Sequence, residues 1–111
     1  MNNIKIFRAN HGEGKTKWLF ERAVEEHLND KHLYYVGTER SKETLIGMWE
    51  TTFHEKCPIT DWSESSDIIR PCCILTDEMF ANLYDMALWF NFMQRYDATW
   101  YITVDKEYFV N

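Results

Sequence analysis

Residues that interrupt regular structure are few: 111 residues contain four glycines and two prolines. Collagen-like and low-complexity chains need far more of both, so a packed fold is expected. Cysteine is also scarce. Cys57, Cys72 and Cys73 cannot all pair within the chain, and no CxxC or Cys/His spacing points to zinc. Adjacent Cys72 and Cys73 would face opposite sides of a strand, which suits buried free thiols. Basic residues are outnumbered, 12 against 18 acidic, for a formal net charge of −6. That field would repel a polyanion, so direct nucleic-acid binding is not expected. No apolar run approaches the ~18–20 residues of a membrane span. The first residues, Met1-Asn2-Asn3-Ile4-Lys5, lack the apolar stretch of a secretory signal. Together these absences lead to the expectation of a cytoplasmic protein.

Aromatic and apolar residues are abundant, at 16% and 45% of the chain. That is ample for a core and excludes disorder, and the length suits a single domain over residues 1–111. So small a domain leaves much surface exposed, where some aromatics could cover a partner.

Periodicity divides the chain into alternating elements. Residues 4–9 read as a strand, residues 10–14 as a glycine-bearing turn, and Lys15 to about Asn29 as a helix. In that helix Trp18, Leu19, Ala23, Val24 and Leu28 recur at helical spacing, with Glu21, Arg22, Glu25 and Glu26 on the other face. Residues 32–36 form a second strand closed by Gly37. A helix over about 42–55 follows, with Ser41 as its N-cap and Pro58 ending it. Residues 58–67 read as a polar loop around Trp62. Residues 68–76 hold a third strand, whose Cys72-Cys73-Ile74-Leu75 run marks burial on both faces. Residues 79–96 read as a helix that is apolar nearly all round, and residues 99–104 as a fourth strand ending at Asp105. Such alternation predicts an α/β fold with right-handed crossovers and a mainly parallel sheet.

The segment Ala9-Asn10-His11-Gly12-Glu13-Gly14-Lys15-Thr16 carries the chemistry. Four variable residues followed by Gly-Lys-Thr, with alanine in the first glycine's place, fit a phosphate-binding loop between a strand and a helix. A chain of this length meets the relaxed pattern by chance only about once in a hundred, and the flanking strand and helix make coincidence rarer still. The tight turn aims backbone N–H groups from residues 10–17, Lys17 included, at one point, and the helix dipole adds positive potential. Lys15 supplies a cation for β- and γ-phosphates, and the Thr16 hydroxyl suits Mg²⁺.

In these residues the chain resembles a P-loop NTPase. It is similar to the branch with an additional catalytic glutamate, which includes AAA+, RecA-like and motor ATPases. Cys72-Cys73-Ile74-Leu75-Thr76-Asp77-Glu78 resembles that branch's Walker B strand. The resemblance implies that Asp77 holds the Mg²⁺ shell and that Glu78 polarises the attacking water, with Lys15 as the other catalytic group. Read alone, Asp77 also suits a helix N-cap. Thr103 and Asp105 match the place where the branch often keeps a γ-phosphate-sensing residue, and equally suit a strand end and a turn. No arginine finger is assigned; Arg8, Arg22, Arg40, Arg70 and Arg95 are candidates by charge.

The implied fold is a three-layer sandwich with a four-stranded sheet in the order 1-4-3-2. It lacks the fifth strand that lies beside the P-loop strand in related folds. An open edge at residues 4–9 would need covering by a protein partner or a second copy, and the aromatic 79–96 helix is another candidate surface. The implied function is binding of Mg-ATP or another nucleoside triphosphate, with slow hydrolysis by a small ATPase module. Two alternatives remain: a non-catalytic accessory protein on the same scaffold, of the kind phages carry, and a nucleoside kinase.

Overall fold

Five strands and two helices arise from these patterns in the computed structural model, which describes residues 3–10, 12–62, 68–77 and 98–105. In chain order they are β1 (Asn3–Ala9), α1 (Lys15–Leu28), β2 (His32–Gly37), α2 (Glu39–Phe53), β3 (Thr60–Asp61), β4 (Cys72–Asp77) and β5 (Thr99–Asp105). They form one sheet, β1-β5-β4-β2-β3, in which every pairing is parallel. The α/β class with a parallel sheet is thus observed. The four longer strands stand in the expected order, but the strand count of four is corrected to five. The additional strand, β3, sets Thr60 and Asp61 opposite Tyr34 and Tyr35 of β2, at the edge far from β1. Two residues are too short a run for alternation to reveal them, so this strand was hidden in the polar loop. The expected second helical layer falls on residues 79–96, outside the described residues.

Alternation along the strands sorts the core into two faces. On one face Leu33, Tyr35, Cys73, Leu75 and Tyr101 pack beneath Leu19 and Ala23 of α1 and Leu45 and Trp49 of α2. Removing a leucine side chain such as Leu19 or Leu45 from water stabilises the fold by about 1.5–3 kcal/mol. On the other face lie Tyr34, Cys72, Ile74, Trp100, Ile102 and Val104. Trp62 joins this group, edge-on to Tyr34 at 5.6 Å and tilted against Trp100 at 6.1 Å. Cys72 and Cys73 therefore face opposite sides, and all three cysteines are free and buried. Burial pushes the Cys73 thiol up to about 12.

Several local expectations are corrected. Glu26 is buried rather than on the outer face of α1, because its carboxylate meets Lys31 Nζ at 2.7 Å. Leu28, expected in the apolar stripe, is exposed at the helix end. α2 starts at Glu39 because Thr38, not Ser41, is its N-cap: Thr38 Oγ1 accepts the Ser41 N–H at 3.2 Å. It ends well before Pro58, where His54 takes a left-handed φ of 55° and its N–H returns to the Glu50 carbonyl at 2.9 Å. His32 is half-buried, its ring nitrogen 2.9 Å from the Thr60 hydroxyl. No helix among the described residues is long and apolar enough to cross a membrane.

Candidate functional site

β1, β4 and β5 all point their carboxyl ends at the start of α1. In parallel α/β sheets this is the end where ligand sites form. Gly12 and Gly14 take left-handed φ values of 82° and 89°. An added Cβ would meet nothing within 4 Å at either, so the backbone conformation, not crowding, calls for glycine. Gly14 is the N-cap of α1 and offers no side chain to the first-turn N–H groups. The first turn contains no acidic residue either, only Lys15 and Lys17 as charged groups. Helix-start amides without a side-chain cap, the positive end of the helix dipole and two ammonium groups are thereby concentrated in one place. Trp18 pins this turn to the sheet, stacked on Phe7 at 5.2 Å and edge-on to Tyr101 at 6.0 Å.

The side chains around the turn are interlocked. Lys15, only 4% exposed, donates to the Ala9 carbonyl at 3.1 Å and stands 3.9 Å from Asp105 Oδ2. Asp77, 2% exposed, accepts from Thr16 Oγ1 at 3.1 Å through one carboxylate oxygen and from Thr103 Oγ1 through the other. Thr16 and Asp77 are thus joined across 61 positions of sequence. The Glu13 carboxylate accepts the Asn10 N–H at 2.6 Å, while the Glu13 N–H returns to the Asn10 carbonyl at 3.1 Å. Its charge is thus engaged within the loop's own backbone.

A cleft of about 540 Å³ opens here. Gly12, Gly14, Lys15, Thr16 and Lys17 form one wall, and Thr38, Arg40, Ser41 and Thr44 form the other. Register explains the meeting: Gly37 pairs with Asp77, so the first turn of α2 emerges beside the carboxylate that Thr16 holds. Lys17 and Arg40 are exposed and have no carboxylate partner among the described residues. In a chain of net charge −6, the cleft gathers cations.

Comparison with known families, curated proteins and solved structures finds no match. What the site can do is decided by its own residues. Of the expected set, Asn10, Gly12, Glu13, Gly14, Lys15, Thr16, Lys17 and Asp77 converge at this end of the sheet, while His11 and Glu78 lie outside the described residues. Thr103 and Asp105, weaker candidates, touch Asp77 and approach Lys15. The α2 wall was missed as part of the site. The available signal was topological: a turn following the carboxyl end of β2 belongs to the same edge of the sheet.

The donor set suits a hard divalent cation that arrives with other oxygen ligands. Thr16 spends its proton on Asp77 and so keeps its oxygen lone pairs for a cation. One carboxylate and one hydroxyl match Mg²⁺, which keeps several waters and takes phosphate oxygens. No group of three or more His, Cys, Asp or Glu side chains that could cage a metal occurs among the described residues.

Proposed function

We propose that the chain binds a Mg²⁺–nucleoside triphosphate, ATP or another, in the cleft between α1 and α2. The observation that carries this reading is the Thr16–Asp77 hydrogen bond at the lip of a cleft whose helix start is uncapped and lysine-rich. An uncapped dipole end with cations around it is a poor arrangement for an isolated helix and a good one for phosphate. The amides of residues 14–17 hold the phosphates, and Lys15 leaves the Ala9 carbonyl to meet them, with Asp105 at its back. Bound Mg²⁺ would neutralise charge on the outer phosphates, held by the Thr16 oxygen and Asp77. Glu78 follows Asp77 directly in sequence and is the proposed base for the attacking water, with hydrolysis slow.

Titration calorimetry with ATP and GTP, with and without Mg²⁺, tests the reading. Saturable binding that tightens with Mg²⁺ is expected. Absence of binding at millimolar nucleotide would overturn it. Phosphate release that disappears in Glu78→Gln while binding persists would support the hydrolytic step; equal release from both proteins would remove Glu78 from it.

A further inference from the structure

The α2 wall has no counterpart in the residues that first pointed to phosphate. Its one charged group is Arg40. The other arginines of the described residues are placed elsewhere. Arg22 meets Glu25 at 3.5 Å and lies over the Trp18 ring. Arg70 borders a separate hollow with His32 and Pro71, which begin or precede β2 and β4 at the opposite end of the sheet. Arg8 belongs to β1 and is not among the residues lining the cleft.

The base of Arg40 is held while its side chain is left available. The Thr38 cap fixes the first turn of α2, and the Thr44 hydroxyl donates to the Arg40 carbonyl at 3.1 Å. The guanidinium itself is exposed, without a carboxylate partner among the described residues. Position along the cleft follows from the sheet order. The loop rises from β1, whereas α2 rises from β2, on the far side of β5 and β4. Asp77, at the end of β4, pairs in register with Gly37 and bonds Thr16, so it stands between the two walls. A phosphate chain whose inner part rests on the α1 amides and whose metal-bearing end lies at Thr16 and Asp77 turns its last phosphate toward α2.

We infer that Arg40 pairs with that last phosphate and makes the cleft select nucleoside triphosphates over diphosphates. This rests on the proposed nucleotide binding and adds the residue that reads phosphate number. A guanidinium fork matches two phosphate oxygens at once, which an ammonium group cannot do. Because the contact exists only when the terminal phosphate is present, its loss falls on the triphosphate alone.

The test is calorimetry with ATP and with ADP, each with Mg²⁺ in excess, on the wild type, Arg40→Gln and Arg40→Lys. The wild type is expected to prefer ATP. Arg40→Gln should weaken ATP by about tenfold or more while leaving ADP within about twofold, and Arg40→Lys should fall between. An exposed side chain without a salt bridge does not carry the fold, so circular dichroism should be unchanged. Equal weakening of ATP and ADP, or weakening of neither, overturns the role of Arg40 while leaving nucleotide binding intact. A wild type that binds neither nucleotide overturns both readings.

Discussion

At the cleft, α1 starts on Gly14 at φ 89° with no side-chain cap and no acid in its first turn, whereas α2 starts on Thr38, which caps Ser41, and places Glu39 in its first turn. Both helices expose their amino ends to the same space. A side-chain cap contributes about 0.5–2 kcal/mol and a complementary first-turn charge about 0.3–1 kcal/mol. By that measure α2 satisfies its own dipole, and α1, whose glycine cap forgoes only a few tenths of a kcal/mol, leaves about 0.5–1.5 kcal/mol of local stabilisation unclaimed. On the proposed reading, the difference separates a helix end built for the fold from one whose missing partner is a ligand. Each of the following substitutions acts on one side of that contrast.

The largest effect is expected for Lys15→Ala. Removing the ammonium group from the α1 end should lower Mg-ATP affinity by about a hundredfold, the scale of a lost charge-assisted contact in a sheltered site. Asp105, 18% exposed at its side chain, keeps access to water, so the apo fold should survive. Calorimetry together with circular dichroism checks both halves. Unchanged affinity in a folded protein would mean that α1 does not receive the anion.

Asp77→Asn comes next. The amide keeps the shape of the carboxylate and can still bond Thr16 and Thr103, but it has lost the charge that a divalent cation needs. The gain in ATP affinity on adding Mg²⁺, expected to be about tenfold in the wild type, should nearly vanish, while metal-free binding should hold or improve. Comparing titrations in Mg²⁺ and in chelator reads this directly. A mutant with an undiminished Mg²⁺ effect would place the cation away from β4.

The part of the site legible from sequence is the part whose chemistry is local. Ala9 to Thr16 carries its pattern in consecutive residues, and Asp77 ends an apolar run that reads as a buried strand. Thr103 and Asp105 were faint because a threonine and an aspartate at a strand end have many ordinary uses; only the register of β5 beside β4 and β1 brings them to Asp77 and Lys15. The α2 wall was not legible, since its link to the loop runs through the pairing of Gly37 with Asp77. Glu26 was misread for a similar reason. A charge at a helical position was counted as outward-facing, but its partner, Lys31, lies beyond the helix end. Trp62 stood alone in a polar stretch, and the tertiary fold supplies Tyr34 and Trp100 as its neighbours.

On the α2 side, Thr38→Ala removes the cap and leaves the Ser41 N–H without its 3.2 Å acceptor. Stability should fall by about 1 kcal/mol, read as a lower urea midpoint, with ATP affinity falling only severalfold as the turn that bears Arg40 loosens. A large loss of affinity with little change in stability would reverse the assignment and make Thr38 a ligand-binding group.

The smallest effect sharpens the contrast most. Lys17→Glu puts an acid into the first turn of α1 at an exposed position, giving that helix what Glu39 gives α2. The apo protein should gain about 0.3–1 kcal/mol, because the carboxylate complements the dipole that the lysine opposed. ATP affinity should fall severalfold, because the same carboxylate now repels phosphate. Both shifts should shrink as salt rises, since the position is solvent-screened, so thermal melts and titrations belong at low ionic strength. Stability and affinity moving in opposite directions is the signature of an end kept unsatisfied for a ligand. If both fell, or both rose, the lysine-rich start of α1 would be an ordinary feature of the helix, and its missing cap would need another explanation.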